Sequence, residues 1–99
     1  MAFGITRAEL EAWKRKVERG DIAFLTHYWR HPLYPQIKTV TKVGCADTEK
    51  LIAWGIQEGL SPEWVDWHDR YPHFDLIAER QKIILYKYKL YDHIARFNI

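Results

Sequence analysis

A single cysteine, Cys45, is present in this chain of 99 residues. One cysteine cannot close a disulfide within the chain, whereas small secreted domains of this length usually depend on several disulfides. The longest uninterrupted apolar runs are four residues, as at positions 83–86, so we expect neither a membrane segment nor a signal peptide. These absences predict a cytoplasmic protein.

The chain has few glycines, and its positive and negative charges are nearly balanced. The five glycines are scattered, so the sequence offers no glycine-rich loop for binding phosphate. The 15 Lys and Arg against 13 Asp and Glu give a net charge of +2, whereas dedicated duplex-binding proteins usually show a much stronger excess. No repeat or flexible linker divides the chain, so we expect one globular domain over residues 1–99.

Aromatic residues, by contrast, are abundant: five Trp, six Tyr and four Phe. A domain this small buries only about 60 to 65% of the surface of its unfolded chain, so large rings enlarge a short core efficiently. Core packing is therefore the expected use of Trp54, Trp64 and Trp67. The alternative is a stacking platform for bases or sugars.

Two helices have clear start signals in the sequence. Thr6 and Glu9 fit a capping box, in which each side chain accepts a hydrogen bond from the backbone of the other, and this predicts a helix over residues 7–19. Asp47 offers an N-cap for a second helix over residues 48–58.

Two further helical segments are predicted in the second half of the chain. Ser61 is a suitable cap for a short helix over residues 62–67, with proline at its first position. Asp75 is expected to cap a last helix over residues 76–89, with another turn reaching Phe97. Part of this last segment also alternates with period two, which is typical of a strand.

Three segments have the composition of strands. Residues 22–29 alternate between two largely apolar faces, as in an interior strand. After a proline-containing loop over residues 30–38, residues 39–45 are β-branched enough for a second strand, and a short third strand ends at Asp75. The order α-β-β-α-β-α predicts a small α/β sandwich with about three strands, three or four helices and at least one parallel crossover.

Polar residues follow the predicted strands where each strand ends. In open α/β sheets, ligands bind beyond the carboxyl ends of the strands. This rule predicts a pocket formed by His27, Asp47, His73, Asp75 and Arg80. We expect it to bind an unknown small ligand or a protein partner, with no cofactor indicated. For the two aspartates, N-capping alone is the alternative.

The same region supplies the ligands for an alternative function that depends on a metal. Aspartate and histidine bind zinc and manganese, and a proline turn can fold such residues inward. The candidate ligands are Asp47, His68, Asp69, His73 and Asp75. With Arg80 steadying phosphate, they would suit a phosphoester hydrolase or a nuclease-like enzyme.

Two other features offer functions of different classes. Cys45 precedes a predicted helix and could act as a nucleophile, but free cysteines are more often small buried packing residues. Tyrosine and lysine alternate over residues 86–89, and together with the basic face of the first helix they provide the alternative of nucleic-acid binding.

The sequence also resembles two families. Residues 44–47, 72–76 and 79–80 are similar to the core pattern of a small bacterial family of unknown function, which ends in a His-aromatic-Asp segment followed by a helix with Arg. Over its whole length, including residues 2–5 and 23–29, the chain resembles the uncharacterised YneQ-like proteins.

Both resemblances imply an α/β fold and support the corner formed by His73, Asp75 and Arg80, but they imply no activity. Members of the wider family carry a histidine at the end of the strand before the aspartate, where this chain has Lys42, Val43 and Cys45. This departure argues against a shared metal or catalytic role.

Overall fold

Four helices surround a sheet of three strands in the computed structural model, which describes residues 3–99. The elements in chain order are α1 (Arg7–Glu18), β1 (Ala23–Tyr28), β2 (Thr39–Gly44), α2 (Thr48–Gln57), β3 (His73–Leu76), α3 (Ala78–Lys87) and α4 (Tyr91–Phe97). A single 3₁₀ turn, Pro62–Trp64, lies between α2 and β3. The predicted α/β class and element order are confirmed. In residues 3–99, no helix is both long and apolar enough to cross a membrane.

The sheet is antiparallel throughout, with β2 in the centre. The predicted parallel crossover and the interior position of β1 are therefore wrong. The loop between β1 and β2 is too short for a crossover, which needs a dozen or more residues. The chain also leaves β2 at Gly44 and returns to β3 at His73, directly opposite, so α2 extends from and returns to the same end of the sheet.

The two faces of the sheet pack against different helices. On one face, which we call the α1 face, Ala23 and Leu25 form a buried cluster with Trp13 and Val17 of α1. A side chain at Gly44 would place its Cβ 2.7 Å from the Trp13 ring, so this close approach requires glycine. The alternation of β1 predicts these two faces correctly.

The opposite face carries the larger cluster. Val43, Phe74 and Leu76 of the sheet pack there with buried side chains from α2 and α3, among them Leu51 and Ile84. Both faces of β1 are apolar because helices cover both of them. The apolar residues on both faces of β1 therefore reflect helix packing. They do not show that β1 has a neighbouring strand on each side, because β1 is an outer strand of the sheet.

Local start signals are confirmed for α1 and α2 but not for α3. The Glu9 amide donates to the Thr6 hydroxyl at 3.1 Å, the Thr6 amide donates to the Glu9 carboxylate at 2.8 Å, and the Lys50 amide donates to the Asp47 carboxylate at 3.2 Å. Asp75 caps nothing, because it lies within β3, and α3 begins after Ile77 without a side-chain cap.

The prediction that tryptophans fill the core is correct only in part. Trp13 and Trp54 are buried, whereas Trp64 and Trp67 are 51% and 57% exposed. The segment that carries the two exposed rings forms a 3₁₀ turn of three residues rather than the predicted helix, so it presents no continuous apolar stripe to the core.

Ala78, at the start of α3, has a φ of +53°. The left-handed region costs a residue with a Cβ about 1 to 2 kcal/mol, and glycine avoids this cost. We expect Ala78→Gly to raise the free energy of unfolding in urea by about 1 kcal/mol. The matched control is Ala95→Gly in the exposed face of α4, which should lower it by about the same amount. A loss of stability in both variants would contradict this prediction.

Candidate functional site

A cavity of about 390 Å³ lies over the α1 face of the sheet, between α1 and the segment that precedes β3. We call it the α1-side cavity. Its apolar walls are formed by Leu10, Trp13, Leu25, Trp29 and Tyr71. Its polar groups belong to Lys14, His27, Lys42, His68 and His73. Hydrophobic and aromatic walls with a few polar groups are the usual composition of a small-molecule site.

His27 lines this cavity and carries a buried hydrogen-bond acceptor that has no partner. The side chain is 5% exposed, and its Nδ1 lies 2.9 Å from the carbonyl oxygen of Tyr28. Because a carbonyl can only accept, the proton is assigned to Nδ1, and Nε2 carries a lone pair. Within residues 3–99, this Nε2 is the single buried side-chain nitrogen or oxygen without a partner. Burial lowers the pKa of His27, and the charge of Lys42 adds to this effect.

His73, on β3, is held in the same tautomer as His27. It is 5% exposed, and its Nδ1 lies 2.7 Å from the carbonyl oxygen of Tyr71, which fixes the ring. Its Nε2 therefore accepts, and Lys42 donates to it from Nζ at 3.1 Å. The two imidazoles differ in one respect: the Nε2 of His73 has a donor, whereas that of His27 has none.

Lys42 lies at the centre of the polar groups because of the strand register. It is directly opposite Asp75 on β3, and its Nζ lies 3.0 Å from the Asp75 carboxylate. Burial opposes ionisation of Asp75, but the ammonium of Lys42 favours it, and the pKa of this carboxyl is lowered. The ion pair therefore persists at neutral pH.

Three potential metal ligands converge beside Lys42. One ligand atom from each of Asp66, His73 and Asp75 lies within 4.8 Å of the other two. The Nε2 of His73 is 3.6 Å from the Asp66 carboxylate and 3.5 Å from that of Asp75. The ammonium of Lys42 contacts two of the three groups, so a cation of this chain already occupies the place where a metal would bind.

The predicted pocket residues separate into three places. His27 and His73 line the α1-side cavity, and Asp75 is connected to it through Lys42. Asp47 is exposed and caps α2. The guanidinium of Arg80 lies 4.8 Å from the centre of the Trp64 ring, beside a separate cleft of about 160 Å³ that Asp75 also lines. The five residues do not form one pocket, because the carboxyl ends of neighbouring antiparallel strands lie at opposite ends of the sheet.

The predicted metal ligands are only partly brought together. His73 and Asp75 belong to the group of three, whereas Asp47, His68 and Asp69 do not. Sequence reasoning missed Asp66, whose backbone pairs with that of His73 through two hydrogen bonds. Only an aspartate seven residues before His73, across a turn with proline, hinted at this pair.

Cys45 is a packing residue in this structure. Its side chain is completely buried in the core of the opposite face, and burial raises the pKa of the thiol. A nucleophile needs the thiolate and access to a substrate. The geometry therefore gives the alternative of a cysteine nucleophile no support.

A buried hydrogen-bond chain that sequence reasoning missed crosses the opposite face of the sheet. The amide of Gln81 donates to Thr41 at 3.1 Å, the hydroxyls of Thr41 and Thr26 are 2.7 Å apart, and Thr26 lies 2.8 Å from Nδ1 of His93. The chain is consistent if each group donates to the next and neutral His93 accepts at its end. Burial lowers the pKa of His93.

His27 and His93 should make the stability of the fold depend on pH. His27 and His93 have lowered pKa values in the folded protein, whereas both return to about 6.5 on unfolding. The unfolded chain then binds more protons below pH 6.5, so stability is complete above that pH and is lost as the pH falls. We expect the free energy of unfolding in urea to decrease from pH 7 to pH 5, and to decrease less in His27→Gln and His93→Gln. A double variant with the slope of the wild type would contradict this.

Removing the ammonium should open the metal position. In Lys42→Met, Asp66, His73 and Asp75 would have no internal cation between them, so Zn²⁺ should raise the melting temperature of the variant but not of the wild type. Asp66→Asn in the Lys42→Met background should reduce this shift. An equal shift in the wild type would show that Lys42 does not exclude the metal.

The sequence was compared with family models, solved structures and curated proteins. No family model matches the chain, so the resemblance to the wider bacterial family stays a prediction. No solved structure matches it. A protein of Bacillus subtilis (strain 168), named "Uncharacterized protein YneQ", is 54% identical over 99 residues, which are 100% of both chains. Identity at this level over the full length shows that the chain belongs to the YneQ family.

Proposed function

We propose that this protein is a binding domain for a small organic molecule, which occupies the α1-side cavity. The observation that carries the proposal is the lining of this cavity, where apolar and aromatic walls meet a few polar side chains. This composition is typical of small-molecule sites.

The size and lining of the cavity support the proposal. A volume of about 390 Å³ lies within the range of roughly 300 to 1,000 Å³ that is usual for small-molecule sites. The buried ring of Trp13 and the ring of Tyr71, with centroids 6.1 Å apart, offer an aromatic wall. Three of the polar side chains, those of His27, Lys42 and His73, lie on the sheet, whereas Lys14 and His68 lie on α1 and on the segment before β3.

Binding is favoured over catalysis by the groups that reach the cavity. Its lining residues include no serine, cysteine or carboxylate. Lys42 is engaged by Asp75 and His73, so it is not a free base. A protein partner in place of a small molecule, and a cytoplasmic location, both stay predictions.

Phosphoester hydrolysis with a metal has one observation in its favour, the convergence of Asp66, His73 and Asp75. Against it stand the ammonium of Lys42 beside these groups and the position of Arg80, which stacks on Trp64. The geometry therefore favours this alternative less than binding of a small molecule.

Nucleic-acid binding through the Tyr and Lys residues at 86–89 is also less favoured. The ammonium of Lys87 and the hydroxyl of Tyr88 both bond to Glu58, at 2.8 and 2.7 Å. Half of the stretch is therefore used within the fold.

Filling the cavity tests the proposal. Leu10 lines the cavity from α1, so a larger side chain there should fill it. For fragments that bind the wild type, we expect Leu10→Trp to weaken the binding affinity by at least about tenfold. The matched control is Leu33→Trp, because Leu33 is 76% exposed and does not line the cavity. The measurement is ligand-observed NMR with a library of small aromatic and aliphatic fragments. The proposal is wrong if no fragment binds, or if bound fragments keep their affinity in Leu10→Trp.

A further inference from the structure

We propose that the loop between β1 and β2 binds the surface of an anionic lipid bilayer, with the side chains at its tip entering the region between headgroups and acyl chains. We call residues 29–38, together with Phe3 and Tyr28 at their base, the loop surface. Three features support the proposal: exposed apolar side chains, a backbone held in place by hydrogen bonds, and charge. The tip lies outside the α1-side cavity, so this binding does not depend on the proposed function.

Exposed apolar side chains are concentrated on the loop surface. Leu33 is 76% exposed, and Tyr34, which follows it in the chain, is 53% exposed. A contiguous group of exposed apolar side chains marks an interaction site, whereas single ones are normal on any surface. Five of the eleven large apolar side chains that are exposed in residues 3–99 belong to the loop surface: Phe3, Tyr28, Trp29, Leu33 and Tyr34.

The backbone of the loop is fixed at its base. The Trp29 amide donates to the carbonyl of Lys38 at 2.8 Å, which closes the loop directly after the two strands. Pro32 and Pro35 stand on either side of the tip, and the ring of each proline fixes its own φ angle. The loop therefore has few alternative conformations in which its apolar tip could turn inwards.

His31 fastens the tip itself. Its Nδ1 accepts hydrogen bonds from the amides of Leu33 and Tyr34 at 3.0 and 3.1 Å. The centre of its ring lies 5.2 Å from that of Trp29 and 5.0 Å from that of Tyr34. Because these contacts already order the tip, little conformational entropy is lost when it binds.

The charged side chains of the loop are all basic. Residues 22–46 contain no aspartate or glutamate, whereas Arg30 and Lys38 are exposed on the loop. Neither cation makes an ion pair within the described part of the chain. Glu79 of α3 lines the neighbouring cleft, but Lys82 lines it as well. An anionic surface complements the loop, and each cation near it should add about fivefold to the affinity.

The chemistry of the tip favours a bilayer over a nucleic acid. Leu33 has no ring to stack on a base, so a single-stranded nucleic acid would leave it in water. In a bilayer, Leu33 reaches the acyl chains, while Trp29 and Tyr34 lie at the depth of the headgroups, where rings with one polar end are favoured. Arg30 and Lys38 then lie beside the lipid phosphates.

Vesicles of two compositions test the inference on the intact chain. We would measure co-sedimentation with vesicles of phosphatidylcholine alone and with vesicles of phosphatidylcholine and phosphatidylglycerol in equal parts. Two cations face the lipid, so we expect the anionic vesicles to be bound at least about tenfold more tightly than the neutral ones. This preference should decrease as the salt concentration rises.

Two pairs of variants assign the binding to the loop. Leu33→Ser should weaken binding to the anionic vesicles by at least about fivefold, because it removes the apolar tip. Its matched control is Ile83→Ser on α3, where the side chain is 60% exposed and binding should not change. Arg30→Gln should weaken binding by about fivefold, whereas Arg15→Gln, at an exposed position of α1, should not.

A fluorescent label at the tip reports insertion directly. Cys45 is completely buried, so Leu33→Cys supplies an accessible thiol for a dye that is sensitive to its environment. Anionic vesicles should shift the emission of this dye to shorter wavelength. The same dye at Ile83→Cys should show no shift.

The outcomes are separate from those of fragment binding, because Leu33 and Arg30 do not line the α1-side cavity. Tight binding to anionic vesicles that Leu33→Ser weakens, with a shift of the dye at the tip, supports the inference. Absence of binding to anionic vesicles overturns it, and so does binding that Leu33→Ser leaves unchanged. If a single-stranded oligonucleotide binds at the loop and vesicles do not, the occupant is a nucleic acid and the inference is wrong.

Discussion

The register of β2 against its two neighbours is the constraint on which the rest of the structure depends. It sets Lys42 opposite Asp75 on the α1 face and Thr41 opposite Thr26 on the other. Because side chains alternate along a strand, a slip of one residue would exchange the two faces. Lys42 would then enter the core beneath α2 and α3, and the close contact at Gly44 with Trp13 would be lost. The antiparallel register thus builds both the core and the cavity.

The two faces of the sheet differ in whether their buried polar groups have hydrogen-bond partners. On the face beneath α3 and α4, the chain from Gln81 through Thr41 and Thr26 to His93 gives every group a partner. Such a fully bonded network adds rigidity and specifies one arrangement of the core. On the α1 face, His27 is also buried, but its Nε2 has no partner among the described residues. A buried acceptor without a partner is rare in folded proteins, and this one belongs to a residue that lines the α1-side cavity.

Features that depend on interactions between residues close together in the chain were predicted from the sequence, whereas features that depend on distant residues were missed. The caps at Thr6 and Asp47 and the alternating faces of β1 depend on residues close together in the chain, and they are confirmed. Strand pairing depends on where the chain returns after α2, which no local pattern carries, and the parallel arrangement was wrong. Among the predicted pocket residues, His27 and His73 line the cavity, although the rule that selected them assumes parallel strands. Lys42 was missed because its role comes from the residues across the sheet.

His27 holds a neutral imidazole with the proton on Nδ1 and a lone pair on the buried Nε2. Long-range ¹H–¹⁵N correlation NMR of the histidine rings reads this tautomer directly. At pH 7 and without ligand, we expect His27 to be neutral and protonated at Nδ1. A His27 ring that is protonated at Nε2, or charged at both nitrogens, would contradict it.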